Sequence, residues 1–251
     1  MNLFQKIMRL PGRISALEGQ VHRLQCAMDF IATSPNNAWL YANRMERMDA
    51  NIPIFDEVRR RFHSVRYEFA ASYVANKNVA DIACGTGYGS HLLSEKGSAA
   101  KVTGIDIDAA AIDYAREKYG NKSVNFTCTA GDSTGFTDGS FDIITSFETI
   151  EHVANPREFL SEFKRMLKQH GRLIISTPNG WDDDNNPYHL QHFDFSQFKS
   201  VLEAFFQVEA IYNQNSGSMW SYNHRQKAGI TLSTSENIHL AECFIAVCKK
   251  V

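Results

Sequence analysis

Asp81-Ile82-Ala83-Cys84-Gly85-Thr86-Gly87-Tyr88-Gly89 is the stretch that decides the fold. Asn78-Val79-Ala80 leads into it, and a helical pattern starts near Tyr88. A strand that ends in an acid, then a Gly-rich turn, then a helix make a nucleotide-binding corner. Glycine lets backbone N–H groups approach a ligand closely, and the helix N-terminus favours negative charge. Two common corners are excluded by spacing. A dinucleotide fingerprint requires Gly-x-Gly-x-x-Gly, whereas here the glycines stand at 85, 87 and 89 and position 90 is Ser. The chain has no Gly-Lys-Ser/Thr, so the corner is not a P-loop.

Working outward, strands and helices alternate. The apolar runs predict strands at Val79–Ala83, Lys101–Ile105, Val124–Cys128, Phe141–Ser146 and Arg172–Thr177, with two more at Phe206–Tyr212 and Glu242–Lys249. Helices are expected at about 88–96, 109–119, 155–168 and 195–204. This rhythm predicts an α/β fold with a mostly parallel sheet covered on both faces. Residues 54 to 75 predict an amphipathic helix with Phe55, Val58, Phe62, Val65, Phe69 and Tyr73 on one face. The polar stretch from 213 to 241 is longer than a typical connection and reads as a lid or a loop.

Asp81-x-x-Cys84-Gly85-Thr86-Gly87-x-Gly89 resembles motif I of the class I S-adenosylmethionine (SAM) methyltransferases. The resemblance extends over roughly 54 to 250 and implies a Rossmann-like fold with a seven-stranded, mostly parallel sheet whose last strand runs antiparallel. It implies SAM as cofactor, with Asp81, Ala83, Gly85, Gly87 and Tyr88 at its methionine end. Gly104-Ile105-Asp106-Ile107-Asp108 ends the second strand, 25 residues after Asp81. Asp106 is placed to accept hydrogen bonds from both ribose hydroxyls, a task for a carboxylate, and Ile107 to pack on the adenine. Asp132 and Ser133, after the third strand, match the acid that meets the adenine amino group, and Phe147 lines the pocket. Upstream, His63-x-x-Arg66-Tyr67 resembles a segment of glycan-cluster methyltransferases, which implies that Arg66 and Tyr67 cap the carboxylate of SAM. Each acid alone is equally readable as a helix cap or a turn residue.

The chemistry of methyl transfer asks for an aligned acceptor and, for a hydroxyl, a base or a metal. Glu148, Glu151 and His152 stand at i, i+3 and i+4, so one helical turn would put them on one face. Histidine is the natural base near neutral pH. The stretch from Glu148 to Val153, with Pro156 and the later Leu167 to Asn179, resembles ubiquinone-biosynthesis-type O-methyltransferases. In some of these, the matching Glu148, Glu151 and His152 would hold a divalent metal, for which an O,O,N set suits Mg2+ or Mn2+. A structural role, with the glutamate capping and the histidine packing, is the alternative. Asn186-Pro187-Tyr188-His189 resembles methyltransferases acting on sugars in surface-glycan clusters, making His189 a second candidate base. His192 departs from that pattern, where Glu is common, and Asp184, His189 and His192 form a further possible metal set. Asp182 to Asp184 read as a solvated acidic run. Trp220, Tyr222, His224 and Arg225 in the long stretch suit a sugar ring or an anionic group.

The first fifty residues read differently. Ile7, Leu10, Ile14, Leu17, Val21, Leu24, Met28 and Ile31 form an a/d seam with 3-4 spacing, interrupted at Pro11-Gly12. The reading is a helical coiled-coil segment over 1–50 that joins copies of the chain through residues 7–32, ahead of a methyltransferase domain over 51–251. An amphipathic helix packed on its own domain is the alternative. Twenty-six basic residues face 28 acidic ones, a balance that argues against a broad nucleic-acid footprint. So does the lack of the Asn/Asp-Pro-Pro-Tyr/Phe motif of amino methylases. Five scattered cysteines without zinc spacing point to reduced thiols, and Cys84 reads as a packing residue. No run approaches a membrane span or a signal-peptide core, which places the protein in the cytoplasm. The composite expectation is a SAM-dependent O-methyltransferase acting on a sugar or glycan hydroxyl. Alternatives are a phenol or small-metabolite O-methyltransferase of the ubiquinone type, and a SAM-binding scaffold without catalysis.

Overall fold

The computed structural model describes residues 17–18, 20–22, 24–26, 28–29, 32, 48–52, 55, 57–180, 188–215 and 229–251. The chain divides into two compact units, Met1–Arg60 and Arg61–Val251. In the first, the described residues between Leu17 and Ala32 are helical. Leu17, Val21, Leu24 and Met28 are 59%, 53%, 56% and 70% exposed. Ile7, Leu10, Ile14 and Ile31 of the seam lie outside the described residues, as do Asp182–Asp184, Asn186, Pro187, Trp220, Tyr222, His224 and Arg225.

The second unit is built on one sheet: β1 (Asn78–Ile82), β2 (Lys101–Asp106), β3 (Val124–Cys128), β4 (Phe141–Ser146), β5 (Leu167–Pro178), β6 (Gln207–Asn215), β7 (Gly229–Leu232) and β8 (Cys243–Lys249). Their order is β3-β2-β1-β4-β5-β8-β6-β7. The first five run parallel, and β8 lies antiparallel between β5 and β6. The sheet has eight strands rather than the seven expected. The extra one, β7, pairs antiparallel with the end of β6, Tyr212↔Leu232 to Asn215↔Gly229, inside the stretch read as a loop. Alternation was hidden there because the pairing residues are polar on one strand and short in run on the other. Val79, Ala80, Asp81 and Ile82 of β1 are all buried, as a parallel strand covered on both faces must be.

Helices α1 (Glu57–Ala71), α2 (Tyr88–Glu95), α3 (Ala109–Tyr119), α4 (Pro156–Met166) and α5 (Phe195–Glu203) complete the fold. Three of the starts have a side-chain cap. Asp108 accepts from the N–H groups of Ala110 and Ala111 and caps α3. Asn155 caps α4, with Pro156 at its first position, and Asp194 with Gln197 forms a capping box on α5. Phe159, Leu160, Phe163 and Met166 of α4 are buried in the main apolar cluster with Ile144, Leu173 and Phe244. Among the described residues no helix is long and apolar enough to cross a membrane.

The face of α1 that turns inward differs from the expected one. Its buried residues are Phe62, Arg66, Tyr67 and Ala70, while Val58 is 40% exposed and Val65 and Phe69 are half-buried. Polar partners inside the fold, described below, draw Arg66 and Tyr67 inward in place of Val65. Tyr67 lies directly against Gly89 in the first turn of α2, where any Cβ would run into its ring. Gly89→Ala is expected to cost about 1–3 kcal/mol through overpacking, read as a lower denaturation midpoint at unchanged slope; a variant as stable as the parent would refute this packing.

Candidate functional site

The sheet order reverses between β1 and β4, and ligands of open α/β sheets sit outside the carboxyl ends of the strands at that point. The register aligns Ile82 with Ile105 and with Ser146, and Ile105 with Thr127. Four sequence-predicted groups therefore follow adjacent strand ends in sheet order: Asp132 after β3, Asp106 at the end of β2, the Gly loop after β1, and Phe147 after β4.

Asp81 is fully buried beneath the loop. Its carboxylate accepts from Ser90 Oγ on α2 at 2.7 Å and from Thr145 Oγ1 on β4 at 2.8 Å, and also from the Tyr67 hydroxyl of α1. It thus faces protein donors and acts on the loop from below. Burial raises its pKa from 3.8 to about 6, against the pull of these hydroxyls. Burial also pushes the Tyr67 phenol well above its usual range. Above Asp81 the chain turns through Ala83 at φ 58°, a left-handed conformation costly for a residue with a Cβ. Gly87 needs its freedom: φ is 82°, and a Cβ would stand 2.7 Å from Phe126 and Ala115. Tyr88 is buried, with its ring 5.5 Å from that of Tyr67.

Asp106 is 4% exposed and accepts from Gly85 N at 2.8 Å and Asp108 N at 2.9 Å. The helix-cap alternative for Asp106 is answered by its neighbour, since Asp108 caps α3. Ile107 beside it is 72% exposed, an apolar side chain held at a strand end. Asp132 and Ser133 are exposed on the turn after β3. Phe147 is buried, edge-on to Tyr67 at 4.9 Å.

These features fit SAM. A Cβ at Gly85 would meet nothing within 4 Å, so the loop face is open to close approach. The N-terminus of α2 has no side-chain cap, unlike α3, α4 and α5. Its N–H groups are thus left to a carboxylate. Asp106 offers a fixed carboxylate for hydroxyl donors, and Ile107 an exposed apolar face for a base.

Arg66 takes a different place from the one the sequence suggested. Its side chain is 1% exposed. Nε donates to Gln214 Oε1 on β6 at 2.6 Å, and Nη2 lies 3.3 Å from Glu148 Oε2, an ion pair without hydrogen-bond alignment. The guanidinium also sits 4.6 Å over the Phe62 ring. Arg66 is thus committed inside the fold. Glu148 has φ 51° and accepts from Ser176 Oγ at 3.0 Å and Cys243 Sγ at 3.2 Å. The helical turn expected to align Glu148 with Glu151 and His152 begins only at Ile150, as a 3-10 turn over Ile150–His152. The left-handed residue at 148 and the pull of Arg66 carry the first glutamate away.

The side chains brought together are Glu151, His152 and His189: one ligand atom from each lies within 4.8 Å of the others. His152 Nδ1 is 3.0 Å from the Tyr188 carbonyl, and Nε2 is 3.9 Å from Glu151 Oε1. The His152 and His189 rings are 4.7 Å apart. Glu151 is 2% exposed; Thr177 Oγ1 donates to Oε2 at 3.1 Å, while Oε1 has no hydrogen-bond partner among the described residues. Burial, aided by the charge of Glu148, pushes its carboxyl well above the usual range. His192 is exposed, its ring 6.3 Å from that of His189. Gln214, Thr177 and Cys243 were not legible as site residues: each is a strand residue whose partner lies on a distant segment. Thr145 and Ser146 left a faint signal, two hydroxyls ending an apolar strand.

Residues 80–175 match a family model described as a methyltransferase domain. The protein named "Probable S-adenosylmethionine-dependent methyltransferase" of Mycolicibacterium smegmatis is 32% identical over 156 residues, 59% of this chain and 59% of that one. A ubiquinone biosynthesis O-methyltransferase of Coxiella burnetii is 34% identical over 105 residues, 41% of this chain and 44% of that one. The chain thus spans well under two thirds of the length of these curated relatives. A Thermotoga maritima structure, described as a SAM-dependent methyltransferase and "possible histamine N-methyltransferase", superposes with TM-score 0.60 at 17% identity. It covers 77% of this chain and 91% of that one, a likeness of fold.

The ionisation of Asp81 gives a test. An acid whose pKa is raised by folding is stabilising below its unfolded value and loses that contribution as pH rises through the folded one. In ligand-free protein, Asp81→Asn should therefore gain on the parent by about 3 kcal/mol from below pH 4 to above pH 7, followed by denaturant unfolding across that range; a pH-independent difference would refute the shift. Residues 80–175 are thus similar to a methyltransferase domain, and the strand-end site around them is of the kind that fits SAM.

Proposed function

We propose that the protein transfers a methyl group from SAM to a hydroxyl, with a sugar of a polysaccharide or glycoconjugate as the acceptor class. The observation that carries the reading is the Glu151–His152–His189 cluster, which follows the ends of β4 and β5 beside the SAM-fitting loop. When bound, SAM supplies an electrophilic methyl whose sulfonium charge vanishes on transfer. Asp106 would hold the ribose, Asp132 the adenine amino group, and the Gly85–Gly87 loop with the start of α2 the methionine end. Asp81, Arg66 and Tyr67 act by fixing that loop and its surroundings. At the acceptor, His152 or His189 would take the hydroxyl proton. The Tyr188 carbonyl opposite Nδ1 of His152 favours a proton on that nitrogen, turning the basic Nε2 towards Glu151.

Tyr188 and Leu190, 60% and 56% exposed on either side of His189, supply apolar surface of the kind a sugar ring packs against. A phenolic acceptor is the second reading, favoured by the identity to the Coxiella ubiquinone biosynthesis enzyme. Labelled SAM offered with nucleotide sugars, glycans and catechols separates the two, and label transfer to catechols alone would reject the sugar. His152→Ala or His189→Ala should lower turnover roughly 100-fold or more if that residue is the base, and a variant at the parental rate excludes it.

The first unit is proposed to join copies of the chain. Leu17, Val21, Leu24 and Met28 form an exposed helical seam with 4-3-4 spacing, as a coiled-coil partner requires. Leu24→Lys should reduce the mass measured by light scattering to that of a monomer, and a parent that is itself monomeric would reject the proposal.

A further inference from the structure

We propose that the first unit joins a second copy of this chain as a parallel, in-register, two-stranded coiled coil. The proposal rests on the reading that this unit joins copies, and it adds their number, direction and register. The residue types along the seam, the groove beside it and the charges flanking it carry the inference.

The 3-4 spacing gives every seam residue a heptad position. Ile14, Val21 and Met28 fall at a, and Leu17, Leu24 and Ile31 at d. The described members, Leu17, Val21, Leu24 and Met28, are all helical and all more than half exposed. A β-branched residue has one stiff rotamer in a helix and fits the a layer of a two-stranded pair, while Leu fits its d layer. Ile14 with Leu17 and Val21 with Leu24 follow that rule in successive heptads. Met28 with Ile31 departs from it at the end of the seam, where the flexible Met adapts to the space it is given.

The stripe is also narrow. A helix packed on its own domain carries apolar residues at e or g besides a and d. Here Glu18 and Gln25 stand at e, and Arg13 and Gln20 at g. In a parallel pair, a d side chain enters a hole bounded by the a, d and e residues of one facing heptad and the a residue of the next. For Leu17 those walls are Ile14, Leu17, Glu18 and Val21 of the second copy. Leu17, Glu18 and Val21 line one open groove on the described helix, together with His22 and Gln25.

The flanking charges set the direction. Parallel strands place each g residue against the e residue five positions on in the partner. That pairs Arg13 with Glu18 of the second copy, twice by symmetry, and Gln20 with Gln25. An antiparallel pair sets e against e and g against g, and neither row holds opposite charges. Parallel pairing is therefore the arrangement that gives Glu18 a basic partner.

The test uses the full chain. Sedimentation equilibrium from about 1 to 100 µM, a range set by the marginal stability of so short a helix alone, should give twice the chain mass at the upper end. A monomer there overturns the proposal together with the reading beneath it, whereas a trimer or tetramer overturns the two-stranded pair alone. Direction is read by mild oxidation of Leu17→Cys in a background of Cys26→Ser and Cys128→Ser, which removes the cysteines that are not buried. In the parallel register Leu17 faces its own counterpart, so the variant should become a disulfide-linked dimer while the background chain does not. In an antiparallel pair Leu17 faces Met28, and a dimer that stays unlinked overturns the parallel arrangement but leaves the joining of copies intact. Glu18→Arg, which leaves the apolar seam untouched, should weaken the dimer by roughly threefold or more, and adding Arg13→Glu should restore it. A double variant no tighter than Glu18→Arg alone overturns the register.

Discussion

The Asp81 carboxylate is the constraint on which the site depends. One buried group joins four elements: its own strand β1, Ser90 of α2, Thr145 of β4 and Tyr67 of α1. A carboxylate without water accepts as many hydrogen bonds as it is offered, so each hydroxyl is held in place by the desolvation of the acid. The consequence is structural. The Gly loop between β1 and α2 is stretched over a fixed point, which accounts for the left-handed Ala83 and for the close seat of Tyr67 on Gly89.

A second buried charge extends this frame to the far half of the sheet. Arg66 lies next to Tyr67 on α1 and reaches Gln214 of β6 and Glu148 after β4. Gln214 in turn donates to the Phe62 carbonyl of the same helix. Glu148 is 23% exposed, so only the arginine end of the pair is fully buried, and removing the glutamate would leave that charge uncompensated inside the fold. The pair also decides where Glu148 goes. By drawing that glutamate to Arg66, it leaves Glu151 to face His152 and His189 alone.

Much of the fold was readable because a parallel sheet has a strong signature. Strands buried on both faces are short apolar runs, and capped helices between them start at Asp108, Asn155 and Asp194. Six of the strands and the helices from Tyr88 onward lie within a few residues of where periodicity places them; β5 starts earlier, at Leu167. Periodicity was a poor guide on α1, where hydropathy placed Val58 and Val65 inward and the fold chose Arg66 and Tyr67. Burial of a charged side chain depends on partners, and the partners Gln214 and Glu148 are remote in the chain. The edge strand β7 escaped for a related reason: only its pairing with β6 makes it a strand.

The sequence by itself determined the Gly loop and the acids at successive strand ends, and with them the expectation of SAM, because glycine spacing and strand-end chemistry are local. The serine at 90 that excluded a dinucleotide corner is also the residue that donates to Asp81. Only the tertiary structure decided how the cluster beyond β4 and β5 is assembled. Spacing along the chain grouped Glu148 with Glu151 and His152, as a continuous helical turn would. The left-handed backbone at Glu148, its ion pair with Arg66 and the docking of Leu190 and Gln191 on the Glu151 carbonyl replaced it with His189. Those are contacts between segments far apart in sequence, and no local pattern encodes them.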